Sequence, residues 1–433
     1  MATMNERTDQ WLAWDRTHCW HPFTEQGAWC DPSHEPLVIE RGEGVWLWDS
    51  EGRKYFDGNA SIWTNLHGHA HPEINAALTA QLQSISHSSY LGLANPRASE
   101  LAARLCELFP KNTLERVFFS DDGSTAVECA LKMALQYRMQ TGEPERTRIL
   151  AFDQAYHGDT MGAAALGGVS RFFERFRSFG LAVDFIASAD ELPNVDAKRY
   201  AAVVIEPIVQ GVNQMRIWSV GMLRALREWC DAHDVHLILD EVMTGFGRTG
   251  KLFACEHEQV IPDFLCLAKG LTGGYLPLAA TLTTEKIYRA FLGKENVFYY
   301  GHSFTANQLG CAAALANLEI LRRDYPAEVL AEKSAVFGEI LQRGLADLAQ
   351  VYQVRHCGML AGIELREVDG RSFSDEDGIG AKVCVKAREY GLITRPILDT
   401  IVLMPPLCST EEELEFAVSV LRTAIVAVFF SKK

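Results

Sequence analysis

Through the middle of the chain, short unbroken apolar runs alternate with stretches in which apolar residues recur every three or four positions. The runs are RVFFS at 116–120, RILAF at 148–152, AAVVIEP at 201–207, VHLILDE at 235–241 and FLCLA at 264–268. Strands with no polar face must be covered on both sides, so the pattern predicts an α/β fold, a mainly parallel sheet between two layers of helices. The intervening helices include STAVECALKMALQYRMQ at 124–140 and VGMLRALREWCDAH at 220–233. After about residue 320 the pattern changes to a long helix at 328–349, strands near 354–365 and 401–404, and a last helix where Ser409 and Glu412 have capping-box spacing. Near the start, LVIERGEGVWLWDSEGRKYFDG alternates around glycine turns and reads as hairpin strands. The expectation is a large domain over 67–319 and a smaller α+β domain, discontinuous, built from 1–66 and 320–433.

Composition narrows the class. The chain has 433 residues, 48% of them hydrophobic, enough for a large core. Acids outnumber bases by 56 to 41, a formal net charge of −15, and no run of consecutive Lys or Arg tracks a phosphate backbone. Nucleic acid and anionic membrane are therefore not expected partners. The opening MATMNERTDQWLAWD lacks a basic segment followed by an apolar one, and TAIVAVFF near the end is far shorter than a membrane span, so a soluble, cytoplasmic protein is expected. Eleven cysteines with no C-x-x-C pair argue against a disulfide framework and a zinc site.

The candidate chemistry starts at DFLCLAKGLTGGYLP, 263–277, where an apolar run ends on Lys269 and breaks into glycines. An amine at the end of a buried strand is costly to desolvate and calls for a use. VHLILDEV places Asp240 at the end of another central strand, where open α/β sheets bind ligands. A structural salt bridge is the competing reading. In VFFSDDGSTAVECA a strand ends and Gly123 and Ser124 open a helix, an arrangement suited to phosphate but equally to ordinary capping. QAYHGDT brings Tyr156, His157 and Asp159 together after a strand, either a ring-stacking platform or a plain turn.

Other motifs fall away on context. Gly245, Gly247 and Gly250 satisfy G-x-G-x-x-G, but KLFACEHE after them is not a convincing helix and two acids stand where a pyrophosphate would lie. His67, His69 and His71 alternate, yet Pro72 starts a helix and no carboxylate or thiol completes a ligand set, so no metal is expected. GHSFT lacks the second glycine of a hydrolase elbow. A lysine, an acid and an anion-binding helix start are, together, the parts that hold pyridoxal 5′-phosphate.

The strings LILDEVMTGFGRTGKLFACEH, LCLAKGLTGGYLPLAATLTT, AYHGDT and VIEPIVQG resemble those of class III aminotransferases, pyridoxal-phosphate enzymes of fold type I, across essentially the whole chain. WHPFT, YHGDTMGA, GHSFTANQLGCAAA and ITRPILDTIVLMPP narrow the likeness to the branch that aminates 8-amino-7-oxononanoate in biotin synthesis. The resemblance implies a seven-stranded, mainly parallel sheet and a homodimer with shared active sites. By it, Lys269 forms the Schiff base and later moves the proton, Asp240 faces the pyridine nitrogen, and Gly123 and Ser124 hold the phosphate. Tyr156 stacks near the ring, and Gly301, His302 and Ser303 reach the neighbouring subunit's site. Arg395 takes the substrate carboxylate and Trp63 lines the acyl channel. The chain departs from the family's habits at Ile62, Phe23 and Ser303, which leaves S-adenosylmethionine and L-lysine both open as amino donor. Met243 and Val212 disfavour ornithine and γ-aminobutyrate. An ω-amino-acid:pyruvate aminotransferase, an aminomutase and a non-catalytic scaffold are the rivals.

Overall fold

The computed structural model describes residues 4–374 and 376–430. Its centre is a seven-stranded sheet of Leu114–Ser120 (β1), Arg148–Phe152 (β2), Val183–Ile186 (β3), Tyr200–Ile205 (β4), His236–Asp240 (β5), Phe264–Leu267 (β6) and Ala279–Thr284 (β7). Their order is β1-β7-β6-β5-β4-β2-β3. Strand β7 runs antiparallel to both neighbours, and the other pairings are parallel.

The two faces follow from the side-chain period of two. Leu150, Val203, Leu237, Leu239 and Leu265 join one buried layer with Leu101 and Leu226 of the covering helices. Ile149, Val204, Ile238, Phe264 and Cys266 join the other, against Ala126, Val127 and Ala130 of the helix Gly123–Gln140. Strands β3 and β7 are the two the apolar pattern did not single out. β7 reads AATLTT, and its buried threonines are tolerated because the Thr281 hydroxyl donates to the Ala126 carbonyl and that of Thr283 to the Asp263 carbonyl.

Both ends of the chain meet in a second sheet. The antiparallel strands Ile39–Glu43, Trp46–Asp49 and Lys54–Asp57 take Leu392–Ile393 as a parallel fourth strand. A third sheet of Val351–Cys357, Leu360–Leu365, Thr400–Leu403 and Arg395–Ile397 lies nearby in sequence. The last helix, Glu411–Phe430, is capped one residue later than its sequence suggests. The Thr410 and Glu413 side chains exchange bonds with each other's backbone N–H, while the Ser409 hydroxyl donates to the Pro406 carbonyl. Among the described residues no helix is long and apolar enough to cross a membrane.

Candidate active site

A cavity of ≈ 690 Å³ opens where the parallel strands end. Asp240 is the last residue of β5, and Lys269 follows β6 after Ala268. The backbone at Lys269 is left-handed, with φ at 43°. This conformation is strained for a residue with a Cβ, and it is held where the chain turns into the short 3-10 segment Lys269–Thr272. The lysine Nζ lies 5.0 Å from the centre of the Trp63 ring. Burial lowers its pKa, while Asp240 and Glu206 pull the other way. The Asp240 carboxylate is bonded 2.8 Å from Nδ1 of His157 and accepts from the Val242 N–H at 3.1 Å. Nε2 of His157 is buried without a partner.

Strand alternation sends the neighbouring acid elsewhere. Glu241, fully buried, accepts from the N–H groups of Ala254 and Cys255 at 2.6 and 2.8 Å and so secures the short 3-10 turn Ala254–His257. No long helix follows the three glycines. Burial pushes the Glu241 pKa up to about 7. The folded state therefore holds a proton between the ordinary value and about 7 that the unfolded chain releases, so this group's contribution to stability is lost as pH rises through that window. Comparing denaturant unfolding of the wild type and Glu241→Gln, the wild type is expected to lose on the order of 2 kcal/mol relative to the variant from about pH 5 to about pH 8. A difference independent of pH contradicts this.

The helix Gly123–Gln140 starts at the cavity rim. Asp122, not Gly123 or Ser124, is its N-cap, accepting from the Thr125 N–H at 2.9 Å. Gly123 and Ser124 are thus the first helical residues, whose N–H groups have no intrahelical acceptor. Gly123 is required sterically, since a Cβ there would lie 2.6 Å from Val242 Cγ1. The Ser124 hydroxyl donates to Thr160 Oγ1 and accepts from the Thr160 N–H, both at 2.9 Å.

Aromatic side chains form the walls. The Tyr156 hydroxyl donates to Asp159 at 2.7 Å, and burial with that bond raises its pKa. Trp63 ends a left-handed turn, with φ of 43°, 49°, 68° and 73° at Ala60, Ser61, Ile62 and Trp63. Left-handed turns cost L-residues roughly 1–2 kcal/mol each, so neighbours must hold this one. Asp57 does so, accepting from the N–H and hydroxyl of Ser61 at 3.0 and 2.8 Å, with His69 Nε2 on the same carboxylate at 3.0 Å. The indole N–H of Trp63 is fixed by Asn59 at 2.9 Å.

The residues singled out in the sequence that line this one cavity are Trp63, Gly123, Ser124, Tyr156, Asp240 and Lys269, with His157, Asp159, Val212 and Met243 beside them. Gly301, His302, Ser303 and Arg395 do not line it within a single chain. His302 comes near, with Nδ1 3.4 Å from Asp121, a rim residue, and Arg395 is exposed on its strand. The three alternating histidines serve separate purposes: His67 bonds Asn317, His69 bonds Asp57, and the His71 N–H meets the Tyr275 hydroxyl. Among the described residues no cluster of three His, Cys, Asp or Glu could hold a metal. Sequence reasoning missed Thr160 and Glu206. Glu206 follows the apolar run AAVVI just as Asp240 follows HLIL, a signal that was available.

The family model for class-III aminotransferases matches residues 29–425. The chain belongs to that family. Class-III aminotransferases depend on pyridoxal phosphate. The cavity fits such a group: an amine and a carboxylate close by, an unpartnered imidazole nitrogen, and a helix start that only glycine could form. A Geobacter sulfurreducens protein named adenosylmethionine-8-amino-7-oxononanoate aminotransferase is 44% identical, over 96% of this chain and 97% of its own length. The crystal structure of the Methanocaldococcus jannaschii enzyme of that name superposes with a TM-score of 0.93 at 39% identity, covering 96% of this chain and 99% of that one. A pyridoxal-phosphate-bound amine transaminase from an uncultivated Pseudomonas species superposes with a TM-score of 0.87 at 32% identity, covering 94% and 98%.

Proposed function

We propose that this aminotransferase converts 8-amino-7-oxononanoate to 7,8-diaminononanoate in biotin synthesis, with S-adenosylmethionine or L-lysine as amino donor. The observation that carries the reading is the convergence of Lys269, Asp240 and the Gly123–Ser124 helix start on one cavity walled by Tyr156 and Trp63. When bound, pyridoxal phosphate supplies an aldehyde for amines and an electron sink for C–H cleavage.

The chain's own residues do the rest. Lys269 would hold the aldehyde carbon, and its side-chain nitrogen would be the group that carries a proton there; burial, which lowers its pKa, favours the uncharged amine. Asp240, kept in place by His157, would stabilise a protonated pyridine nitrogen. The N–H groups of Gly123 and Ser124 would take the phosphate, Tyr156 would stack on the ring, and Trp63 would border the acyl chain. Arg395 would anchor the substrate carboxylate through a bidentate fork, supported by Ile397 of the same strand, which packs against the cluster that contains Trp63. Gly301, His302 and Ser303 complete the partner's site in a cytoplasmic homodimer, consistent with the exposure of the neighbouring Tyr299 and Phe304. The smaller domain comprises 1–66 and the chain after about 320, supported by the sheet that joins both ends.

The test is turnover of 8-amino-7-oxononanoate by the pyridoxal-phosphate-loaded protein with each donor, followed by mass spectrometry. Diaminononanoate is expected with one of them. Its absence with both, alongside amination of pyruvate from simple ω-amines, overturns the substrate assignment.

A further inference from the structure

Glu206 is the one buried carboxyl of the cavity with no part in the chemistry above. It leaves β4 as Asp240 leaves β5: Ile205 is paired with Leu239, so the two acids stand side by side on adjacent parallel strands. Glu206 is 6% exposed. One oxygen accepts from the Tyr156 N–H at 3.1 Å and the other from the Gly211 N–H at 2.9 Å. These bonds tie the strand end to the segment carrying the stacking tyrosine and to the short hairpin that follows β4. Neither bond involves a charged partner.

We propose that Glu206 is a positioning residue that holds an exchangeable proton beside the reacting centre and, through its charge, sets the proton affinity of the nitrogen on Lys269. This rests on the cofactor reading given above. Four titratable groups face it: Asp240 on β5, Tyr156 and His157 from the segment after β2, and Lys269 after β6. Two buried carboxyls side by side disfavour joint ionisation, and Glu206, whose only hydrogen-bond partners are neutral N–H groups, is the one that keeps a proton. Burial first, and Asp240 next among the raising causes, push its pKa up to about 7, against His157 and the two backbone N–H groups. A group poised there changes charge near neutral pH. When ionised it favours a proton on the Lys269 nitrogen, and when neutral it releases that preference.

The geometry also explains why the acid is a glutamate at the end of β4. Its anchoring N–H groups are neutral, so the charge that appears on ionisation is not cancelled locally and acts on the cavity. A carboxylate paired with an arginine would stay ionised and do nothing as pH changed.

The test uses pyridoxal-phosphate-loaded protein and reads the pH midpoint at which the cofactor's visible absorption band shifts. Glu206→Gln is expected to lower that midpoint by on the order of one pH unit. Glu206→Asp, which keeps the charge but withdraws it from the cavity, is expected between the Gln variant and the wild type, and decides the matter if the Gln variant does not fold. A folded variant of either kind with the wild-type midpoint overturns the proposal. A purely structural role for Glu206 would lower thermal stability and leave the midpoint where it was. If the wild type itself takes up no cofactor that borohydride can fix, the cofactor reading has failed instead, and the two failures are distinguishable.

Discussion

Lys269→Ala is expected to give a folded protein that binds pyridoxal phosphate without a covalent link and turns over at least about a thousandfold more slowly, from the loss of general acid–base catalysis alone. The fold should survive because the lysine is a cost to it. Its amine is desolvated, its backbone is left-handed at φ 43°, and removing the charge leaves Asp240 still bonded to His157 and Val242. Alanine keeps the Cβ, so it neither relieves nor worsens the backbone strain. The neighbouring Gly270, Leu271 and Thr272 stay packed in the core. Two measurements decide the point. After borohydride treatment, peptide mass mapping should find a cofactor adduct on the wild-type segment containing 269 and none on the variant. A supplied small amine should restore part of the rate to the variant, because the missing function is a mobile proton carrier. Wild-type turnover by the variant, or an adduct on another lysine in the native enzyme, would end the assignment.

How much of this site could be read from the chain differs from residue to residue. Lys269 was legible as a lone charge and Asp240 as the first of two acids, each ending an apolar run that reads as a buried strand whose end lies at the sheet's ligand edge. Strand β7 escaped because threonine is polar in the sequence but apolar in effect once a backbone carbonyl takes its hydroxyl. The cap of Gly123–Gln140 fell to Asp122 because two acids precede the glycine, and only the backbone angles choose between them. The left-handed turn at 60–63 was invisible for a stronger reason. Nothing in ASIW favours positive φ, and the turn is held by Asp57, just before it in the chain, whose carboxylate is in turn fixed by His69 from beyond the turn. Residues 301–303 and Arg395 are legible only through family likeness, since within one chain they stand apart from the cavity. Both readings agree where local physics dictates position and diverge where groups that only the fold brings together complete the geometry.

Asp240→Asn is the second substitution with a large expected effect, and it separates charge from shape. Asparagine fills the same volume, can still accept from the Val242 N–H and can still meet His157, so packing at the end of β5 is retained. What disappears is the negative charge proposed to stabilise a protonated pyridine nitrogen. Removing one member of a buried charge pair costs about 3–5 kcal/mol because the remaining charge is left uncompensated. If that pair exists only while the ring nitrogen carries its proton, the loss falls on the chemical step, and kcat should drop by about two to four powers of ten. Substrate KM should change little, because Asp240 is not on the substrate side of the assigned geometry. A second consequence has a definite sign. Asp240 is among the groups that raise the Lys269 pKa and also among those that raise the Glu206 pKa, so without its charge both values should fall. The acid side of the pH–rate profile should then move to lower pH in the variant as well as the plateau dropping. A structural salt bridge, the reading that competed for Asp240 at the outset, predicts the reverse pattern: reduced unfolding stability, unchanged kcat and an unmoved profile. Measuring kcat, KM and denaturant unfolding on one preparation distinguishes the two, and an Asn variant within tenfold of the wild-type kcat would rule out the role assigned to the charge.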